Sequence, residues 1–451
     1  MDKILVSGKY YDKKYGVCYM GSVWLENLNI KKFPKLDGDK KTDVLIIGGG
    51  IAGILCAYFM RKQGVDYILT EAKTIGMGIS KNTTAKITFQ HSLIYDNLIK
   101  QFGHNYASQY LEANKKALKI YKDLCKNIDC DFEEKPAFTY SCDNIEKLEN
   151  EIKALLKLHY KAEFISEVPI PVKTVGAIKF DNQAQFNPMK FIAKLSENLN
   201  IYENTFVKKV DANTAFTDHG NISAKKIIIA THFPFINSHG AYFLKMYQHR
   251  SYVIALKNAQ KLDGMYVDES QSGMSFRNYK DLLLIGGSDH RTGKKGGGYK
   301  ELRDFAKENY KSAHERYCWA TQDCMTLDSV PYIGSYSKNT KDLLVATGFN
   351  KWGMTSSMVC AMILSDIILE KENNYSDIFN PSRSTLKPQL FVNLGETLKS
   401  FSTPTIKRCP HLGCALKYNE EENSWDCPCH GSRFDENGKL IDNPAMRDAN
   451  V

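Results

Sequence analysis

Hydrophobic positions form the strongest pattern of the chain between residues 43 and 71. Residues 43–47 are a near-continuous apolar run, residues 51–63 carry apolar side chains at helical spacing, and residues 66–70 are again rich in β-branched and aromatic side chains. Short continuous apolar runs are typical of strands that are covered on both faces, as in parallel sheets. The pattern therefore predicts a strand, a helix and a second strand in βαβ order.

Helical and strand-like segments alternate along the chain as far as about residue 370. The spacing of apolar residues predicts helices near 93–127, 145–158, 188–198 and 354–370. Strand-like segments lie between them, within 132–180 and at 206–210, 225–233, 252–256 and 281–286. Residues 372–389 then become polar and contain two prolines, which predicts a domain boundary.

The composition is that of an ordinary globular protein. The 451 residues are 43% hydrophobic and 25% charged, which argues against a disordered or fibrous chain and suggests about three domains. The net charge is +9, but the basic residues are scattered singly, so we expect no nucleic-acid partner. The longest uncharged run, residues 44–60, is shorter than the ~20 residues of a spanning helix, and the first residues lack signal-peptide features. We therefore expect a cytoplasmic protein without a transmembrane segment.

Three glycines follow the first predicted strand in a GxGxxG arrangement: Gly48, Gly50 and Gly53. The first allows a tight turn, the second lets the backbone approach a pyrophosphate, and the third lets the helix pack on the strand. Glu71 ends the second strand, where a carboxylate accepts hydrogen bonds from a ribose. The pattern predicts a dinucleotide-binding unit; the alternative is a glycine-rich turn without a nucleotide.

Three separated motifs indicate which dinucleotide is bound. They are GMGISKNTTAK at 76–86, KKIIIAT at 225–231, and TLDSVPYIG with LLVATGFNKWGMTSS between 326 and 357. In this order they resemble the D-amino-acid oxidase superfamily of FAD-dependent oxidoreductases over most of residues 43–370, and the resemblance implies FAD. It also implies that Ser80 and Thr84 contact the pyrophosphate and that Val207 and Ala230 contact the adenine. Contacts to the flavin pyrimidine edge are implied for Gly348, Gly353, Met354 and Thr355.

Two cysteines and two histidines near the C-terminus form the rarest constellation of the chain. Cys409 and His411 lie two positions apart, Cys427 and His430 lie three apart, and fifteen residues separate the halves. From spacing alone, this set also suits a zinc ion. The contexts CPHLGC and CPCHGSRF resemble the Rieske family closely, which implies a 2Fe-2S cluster with two thiolates on one iron and two imidazoles on the other. The same resemblance implies imidazole edges that face outward and pass electrons.

Further positions of this region follow from the Rieske resemblance. Cys414 and Cys429 match the pair that forms a disulfide between the cluster loops; the alternative is two free thiols in a reducing cytosol. Ser432 matches a serine that hydrogen-bonds a cluster sulfur, whereas Phe434 stands where high-potential members carry a tyrosine. Few residues precede Cys409 within this domain. We therefore expect a truncated domain that leans on the flavoprotein body.

Together these features predict an α/β plus α+β protein with three parts: a Rossmann-like FAD-binding domain, an interleaved antiparallel-sheet substrate domain and a small all-β Rieske domain. We expect an N-terminal extension at 1–42, the oxidoreductase unit at 43–370, a linker at 371–400 and the Rieske domain at 401–451. Within the oxidoreductase unit, FAD-binding segments are expected at about 43–130, 185–240 and 325–370, and substrate segments at about 131–184 and 241–324.

A flavin that accepts two electrons beside a cluster that accepts one suggests a dehydrogenase. The superfamily resemblance implies oxidation of a C–N bond in an amine or amino-acid-like substrate, with electrons passing to an external acceptor protein or quinone. The main alternative is a relay that carries electrons to or from a partner protein without its own amine substrate. A reductase-like relay needs an NAD(P)H site, however, and only one GxGxxG is present. A third and weaker hypothesis, from the net charge, is a flavin enzyme that acts on nucleic acid.

Candidate catalytic residues are His91, Arg250 and Asp323, and Arg277 is a second arginine that could bind a substrate carboxylate. Asp323 stands where relatives with small amino-acid substrates often carry a carboxylate-binding arginine, and Thr355 stands where sarcosine-oxidase-like relatives carry a lysine. Simple amino acids should then bind poorly, and Asp323 either attracts a cationic amine or caps a loop. His91 either reaches the flavin or is a structural core histidine, and both arginines have structural roles as their alternatives.

Overall fold

The computed structural model describes residues 4–6, 9–12, 16–270, 273–383 and 388–451. In these residues the strands, in chain order, are β1 (Ile4–Val6), β2 (Lys9–Asp12), β3 (Gly16–Met20), β4 (Lys40–Ile47), β5 (Tyr67–Thr70), β6 (Lys86–Ile87), β7 (Glu133–Ser141), β8 (Glu163–Ile165), β9 (Gly176–Gln185), β10 (Ile201–Tyr202), β11 (Lys209–Asp211), β12 (Thr214–Thr217), β13 (Gly220–Ile229), β14 (Met246–Lys257), β15 (Met265–Asp268), β16 (Ser275–Tyr279), β17 (Leu282–Arg291), β18 (His314–Thr326), β19 (Tyr332–Ser335), β20 (Leu343–Thr347), β21 (Lys417–Asn419), β22 (Ser424–Asp426), β23 (Arg433–Asp435) and β24 (Leu440–Asp442). The α-helices are α1 (Ile51–Lys62), α2 (Ile94–Phe102), α3 (His104–Cys125), α4 (Ile145–Lys157), α5 (Pro188–Ser196), α6 (Tyr242–Lys245), α7 (Gly298–Asn309), α8 (Gly353–Ile368), α9 (Ser376–Phe379) and α10 (Pro388–Ser402).

The predicted βαβ unit consists of β4, α1 and β5, and it lies at the centre of an eight-stranded sheet. The order of that sheet is β10-β5-β4-β13-β12-β11, and β13 also pairs in parallel with β20, which pairs with β19. The strands β5, β4 and β13 run parallel, and the residues of β4 that face the core are buried. Helices α1 and α8 pack together, with Cys56 Sγ 3.6 Å from Cys360 Sγ. The Rossmann-like prediction is confirmed.

A second sheet of twelve strands has the order β1-β2-β3-β18-β14-β17-β16-β15-β7-β9-β6, with β8 added beside β9. Most of its neighbouring strands are antiparallel, as the sequence predicts; β3 with β18 and β7 with β15 are the parallel pairs. The long strands β14 and β18 lie side by side, with His249 opposite Asp323 and Arg250 opposite Gln322. This register decides which side of the sheet each candidate residue faces.

The segment expected as an N-terminal extension is integrated into the oxidoreductase fold. Strand β3 extends the large sheet, with Tyr19 opposite Tyr317. Trp24 is fully buried and donates its indole N–H to the carbonyl oxygen of Thr83 at 2.8 Å. Residues 1–3, 7–8 and 13–15 of this segment lie outside the described residues. The segment is therefore an outer part of the large sheet rather than an appendage to it.

The segment expected as a linker, residues 371–400, is largely helical where the structure describes it. It contains α9 and most of α10, while residues 384–387 lie outside the described residues. Arg383 forms an ion pair with Asp328 at 2.7 Å and so fixes the segment to the FAD-binding unit. At the other end, the Ser400 hydroxyl accepts the backbone N–H of Ala415 at 2.9 Å. The linker is thus a helical bridge that packs on both of the domains it joins.

The C-terminal region is a four-stranded antiparallel meander with the order β21-β22-β23-β24. Its strands have three residues each, and its apolar core is small, with Phe434 fully buried. Arg433 lies inside this unit and pairs with Asp426 at 3.0 Å and with Asp442 at 3.2 Å. The expected small all-β domain is confirmed. Among the described helices, none has the length and apolar character required to cross a bilayer.

Candidate functional site

The glycine turn between β4 and α1 has the tight geometry that the sequence predicts. A Cβ atom on Gly53 would lie 1.9 Å from the carbonyl oxygen of Gly48, so only glycine permits this approach of α1 to the turn. Gly50 directly precedes α1, and the Ser80 hydroxyl accepts the backbone N–H of Ile51 at 2.9 Å. The N–H groups at the start of α1 therefore face the Ser80 loop, and this is a suitable place for a pyrophosphate.

Glu71, at the end of the βαβ unit, closes the turn from the other side. Its carboxylate accepts the backbone N–H groups of Gly49 at 2.8 Å and of Lys73 at 2.9 Å. Burial raises the pKa of this carboxyl, and the two backbone hydrogen bonds partly counteract that shift. Glu71 is thus fixed beside the glycine turn, where the sequence predicts a ribose.

A cavity of about 1330 Å³ extends from the glycine turn to the large sheet. Most residues that the sequence predicts to contact FAD line this cavity, namely Gly48, Gly50, Glu71, Ser80, Thr84, Val207, Ala230, Gly348, Gly353 and Met354. Gly53 instead lies in the first turn of α1 against Gly48, and the Thr355 hydroxyl turns into the core and donates to the carbonyl oxygen of Thr88 at 3.1 Å. The cavity therefore has the glycine turn and the backbone N–H groups that suit FAD.

His91 lines the same cavity but is bound on both ring nitrogens. Its Nδ1 lies 2.6 Å from the Tyr110 hydroxyl, and its Nε2 lies 2.9 Å from both Thr355 Oγ1 and the carbonyl oxygen of Thr88. Its ring stacks on Trp352, with the centroids 4.9 Å apart. Burial lowers the pKa of His91 to about 3. These contacts favour the structural alternative, in which a neutral His91 supports the loop before α8.

Arg277 makes contacts that favour its structural alternative over a role as a carboxylate partner. Its guanidinium donates to the carbonyl oxygens of Thr84 at 2.7 Å and of Ala85 at 2.9 Å. It also lies over the ring of Trp24, 5.4 Å from the centroid. Arg277 therefore fixes the flavin loop and the N-terminal segment onto the sheet.

Side chains alternate along a strand, so the two faces of the β14 and β18 pair carry different residues. Thr321, Asp323 and Trp319 share one face of β18, and Trp319 donates its indole N–H to the carbonyl oxygen of Asn82 in the flavin loop at 2.9 Å. Arg250 and its cross-strand partner Gln322 lie on the opposite face. Asp323 and Arg250 thus lie on opposite faces of the strand pair, but both line the cavity, and the Arg250 charge opposes the rise in the pKa of Asp323.

Arg250 is fully buried and forms an ion pair with Glu422 of the C-terminal domain. Glu422 also pairs with Arg433 at 3.1 Å. The Arg250 guanidinium is therefore used in the contact between the domains. This contact favours the structural alternative for Arg250, although Arg250 also lines the cavity.

Asp323 lines the cavity beside Lys351 and Asp289, which pair with each other. Burial raises the pKa of Asp323 to about 6; Lys351 opposes the shift and Asp289 adds to it. Among the described residues, Asp323 itself has no ion-pair partner within 4.0 Å. Its carboxylate is therefore free to attract a cation that enters the cavity.

Lys86 is a cavity residue that the sequence analysis missed. It lies on β6, lines the cavity and donates from Nζ to the Thr84 hydroxyl at 3.0 Å. Burial lowers its pKa to about 7, and the nearby Arg277 charge adds to the shift. An isolated lysine within the flavin-loop motif was the available signal, but its burial follows only from the packing of β6 against the large sheet.

The four predicted cluster ligands come together in the C-terminal domain. The thiols of Cys409 and Cys427 are buried and hydrogen-bond to each other, and the rings of His411 and His430 lie perpendicular with centroids 4.9 Å apart. The Nδ1 atoms of both histidines are buried and have no hydrogen-bond partner among the described residues. Two thiols and two unpartnered imidazole nitrogens in one place fit a Rieske cluster. The predicted disulfide between Cys414 and Cys429 is present.

His430 faces the flavoprotein body, and the half-buried His411 also contacts it. His430 is buried between the rings of Phe233 and Phe243, at centroid distances of 6.4 and 6.1 Å. His411 Nε2 lies 3.1 Å from the side-chain oxygen of Asn237. All three partners belong to the segment between β13 and β14. The truncated domain packs against the flavoprotein body through its cluster loops.

Two glutamines of the large sheet bind the second cluster loop. Gln248 donates from Nε2 to the carbonyl oxygen of His430 at 2.7 Å, and Gln322 donates to that of Gly431 at 2.8 Å. Gly431 has φ +80°, and a Cβ atom there would lie 2.7 Å from the Gln248 side chain. Gln248 also lies next to His232, which lines the cavity. The cluster loop is therefore only two side chains away from the FAD cavity.

Comparisons with known proteins agree with this architecture. The sequence matches the FAD dependent oxidoreductase family over residues 43–367 and the Rieske [2Fe-2S] domain over residues 402–451. A relative from Bacillus subtilis (strain 168), named as the Rieske 2Fe-2S iron-sulfur protein YhfW, is 36% identical and aligns with 94% of this chain and 96% of its own. The cytochrome b6-f complex iron-sulfur subunit of Nostoc punctiforme is 43% identical over 56 residues, which are 12% of this chain and 30% of that subunit.

Solved structures share the fold of the larger part. Glycine oxidase from Geobacillus kaustophilus superposes with a TM-score of 0.65 at 17% identity, covering 76% of this chain and 99% of that one. L-proline dehydrogenase from P. horikoshii superposes with a TM-score of 0.64 at 17% identity, covering 76% of this chain and 98% of that one. The chain therefore belongs to the FAD-dependent oxidoreductase family. It carries a Rieske domain at its C-terminus and binds FAD and a 2Fe-2S cluster.

Proposed function

We propose that the protein is a dehydrogenase that oxidises a C–N bond of a cationic amine or amino-acid-like substrate and passes the electrons through its cluster to an external acceptor protein or quinone. The main support is the contact between the two cofactor sites. The cluster-ligand loop at His430 is bonded to Gln248, and Gln248 lies next to His232 in the wall of the FAD cavity. Such an arrangement suits electron transfer within one chain. It is not needed by an enzyme whose flavin reacts directly with oxygen.

The proposal requires two kinds of electron chemistry. FAD, held by the glycine turn and the Ser80 loop, would supply a two-electron hydride acceptor, and the cluster, held by Cys409, His411, Cys427 and His430, would supply a one-electron acceptor. A protonated amine would lose two electrons and two protons and become an iminium ion; both electrons would go to the external acceptor, one proton to Lys86 and the other to solvent. The protein's own residues bind the amine, exclude water and keep the two sites adjacent.

Asp323 is the proposed amine-binding residue. It faces the flavin side of the sheet, lines the cavity and has no ion-pair partner within 4.0 Å among the described residues. A free α-carboxylate would meet the like charge of Asp323, while both candidate arginines are already used elsewhere. We therefore propose amines without a carboxylate beside the nitrogen as preferred substrates.

Lys86 is proposed as the proton acceptor for the substrate. With a pKa of about 7, part of this amine is uncharged at neutral pH and is able to accept a proton. The proximity of Lys86 to Thr84 in the flavin loop places it beside the cofactor site. Lys86→Met should therefore flatten the pH dependence of flavin reduction near pH 7, whereas a purely structural lysine would leave that dependence unchanged.

The decisive experiment is anaerobic mixing of the holoprotein with matched substrate pairs. Dimethylamine and sarcosine differ by one carboxylate, and so do benzylamine and phenylglycine. We expect the amines to bleach the FAD absorbance faster than their carboxylated partners, and the electron paramagnetic resonance signal of the reduced cluster to follow. A Cys409→Ser variant should still show bleaching of the FAD absorbance but should lose the resonance signal of the reduced cluster. If no amine or amino acid reduces the flavin while a reduced protein partner does, the protein is a relay and the dehydrogenase proposal is wrong.

A further inference from the structure

We propose that residues 440–446 of the Rieske domain form part of the FAD-binding site, so that FAD binding and docking of an intact cluster domain stabilise each other. This inference depends on the two cofactors and not on the identity of the substrate. The segment begins in β24 and ends two residues after Pro444. It lines the same cavity as the glycine turn and the Ser80 loop.

The first observation is where this segment meets the FAD cavity. Asp442, Asn443 and Ala445 line the cavity together with Gly48 and Gly50. FAD in this cavity is therefore enclosed by two domains, and the Rieske side covers the region near the glycine turn. Cofactor release then requires that this segment moves away.

The second observation is a pair of hydrogen bonds that cross between the domains. The Asn443 side-chain N–H₂ donates to the carbonyl oxygens of Thr231 at 2.8 Å and of Phe233 at 2.7 Å. Thr231 directly follows Ala230, which is among the residues predicted to contact FAD. One amide side chain thus satisfies two carbonyl groups of the nucleotide-binding fold, and an apolar replacement would leave both without these donors.

The third observation is electrostatic. Asp442 attracts Lys81, which follows Ser80 in the flavin loop and lines the cavity; burial lowers the pKa of Lys81 and Asp442 opposes that shift. Asp442 also pairs with Arg433 at 3.2 Å, inside the Rieske domain. The Asp442 carboxylate therefore interacts both with Lys81 of the flavin loop and with Arg433 inside the cluster domain.

The fourth observation connects the same segment to a cluster ligand. The backbone N–H of Ala445 donates to the Ser432 hydroxyl at 3.0 Å, and the Ser432 side chain hydrogen-bonds to Cys409. A change at the cluster therefore reaches Asn443 through Ser432, Ala445 and Pro444. Because coupling between two sites is reciprocal in free energy, loss of either cofactor should weaken the retention of the other.

The test compares Asn443→Ala with Asn437→Ala in the holoprotein. Asn437 lies on the exposed turn between β23 and β24 of the same domain and makes no contact with the cavity. The rate of FAD release after dilution is followed by the fluorescence of free FAD, and iron content and the cluster resonance spectrum are recorded for both variants. We expect Asn443→Ala to release FAD at least fivefold faster with its iron content unchanged, and Asn437→Ala to behave as the unmodified protein.

A second arm tests reciprocity and does not rely on Asn443. Cys409→Ser, which removes a cluster ligand, should release FAD at least fivefold faster than the unmodified protein. Removal of FAD from the unmodified protein with a chaotropic anion should make the cluster bleach faster, and re-addition of FAD should reverse this effect. Equal FAD release by Asn443→Ala, Cys409→Ser and the unmodified protein would overturn the proposal. This result would leave the amine-oxidation proposal intact, because that proposal is judged by flavin reduction.

Discussion

The two faces of the β14 and β18 pair differ in what they bind. On one face, Asp323 and Thr321 line the FAD cavity. On the other face, Gln248 and Gln322 donate to the cluster loop, and Arg250 forms an ion pair with Glu422. The same two strands therefore serve the substrate side and the docking side through alternate residues. A shift of one residue in register would exchange the two sets, so this pairing must be strictly specified.

The two faces also differ in how their polar groups are satisfied. On the docking face, Arg250 pairs with Glu422 and the amide N–H groups of Gln248 and Gln322 have partners in the Rieske domain, although Arg250 Nε and Gln248 Oε1 have no hydrogen-bond partner among the described residues. On the substrate face, Asp323 has no ion-pair partner within 4.0 Å among the described residues. Buried polar groups that are satisfied stabilise an interface, whereas a buried charge without a partner is typical of a binding or catalytic site. The comparison supports docking and amine binding as separate properties that mutations can separate.

The largest effect is expected from Arg250→Gln. Removing one partner of a buried ion pair leaves Glu422 next to the sheet with a weaker partner, at a cost of roughly 3 kcal/mol in docking free energy. Limited proteolysis in the segment between the domains should accelerate, and the pKa of Asp323 should rise because the opposing Arg250 charge is lost. Lys257→Gln, at the exposed end of the same strand, is the matched control and should show neither change. Loss of amine affinity in Arg250→Gln without faster proteolysis would contradict the assignment of the two faces.

A smaller effect on the same face is expected from the double variant Gln248→Ala and Gln322→Ala. Two hydrogen bonds to the cluster loop are lost, which should weaken docking by roughly 1 to 3 kcal/mol. The rate of cluster reduction after flavin reduction should fall severalfold, because the cluster loop is no longer fixed beside the cavity. Stopped-flow absorbance separates the two events. An unchanged rate of cluster reduction would show that these glutamines do not position the cluster.

On the substrate face, amine binding should depend on pH through Asp323. Its pKa is raised to about 6, so the carboxylate is neutral well below pH 6 and charged above it. Affinity for dimethylammonium should therefore increase about tenfold between pH 5 and pH 7, as the charged fraction rises. Titration of the oxidised flavin spectrum measures this affinity, and Asp323→Asn should be weak and independent of pH over that range. A decrease of affinity with rising pH would exclude Asp323 as the amine-binding residue.

The smallest effect is expected from Phe434→Tyr, which touches neither face of the pair. Phe434 is fully buried in the cluster domain and has no hydroxyl to donate to a cluster sulfur. The added hydroxyl should raise the cluster midpoint potential by on the order of tens of millivolts, with docking and amine binding unchanged. Direct electrochemistry provides the measurement. A lower or equal midpoint would indicate that burial by the flavoprotein body, rather than this hydrogen bond, sets the potential.

Local patterns in the sequence predicted both cofactor sites because those sites depend on short segments. The glycine turn, Glu71 and the Ser80 loop lie within about 40 residues, and their geometry follows from steric limits on the backbone. The cluster ligands likewise lie within two short loops, and the disulfide partners are members of the same loops. Such features are set by spacing along the chain and need little information about the rest of the fold.

The roles of the arginines and the orientation of the cluster depended on long-range pairing. The register of β14 against β18 places Arg250 and Asp323 on opposite faces, and no local pattern distinguishes that register from its neighbours. One retrospective signal was present: residues 248–251 form a continuous polar run within a largely apolar strand, which indicates that polar groups are met on both faces there.

The amino-acid sequence by itself determined the fold class, the two cofactors and the identities of the cluster ligands, because each follows from short motifs with strict steric or ligand requirements. Only the tertiary structure decided that His430 faces the flavoprotein body and that Arg250 belongs to the domain contact. It also decided that Asn443 reaches the nucleotide-binding fold from the far end of the chain. These features are contacts between segments separated by more than a hundred residues, and their geometry arises only when the sheets and the C-terminal domain pack together.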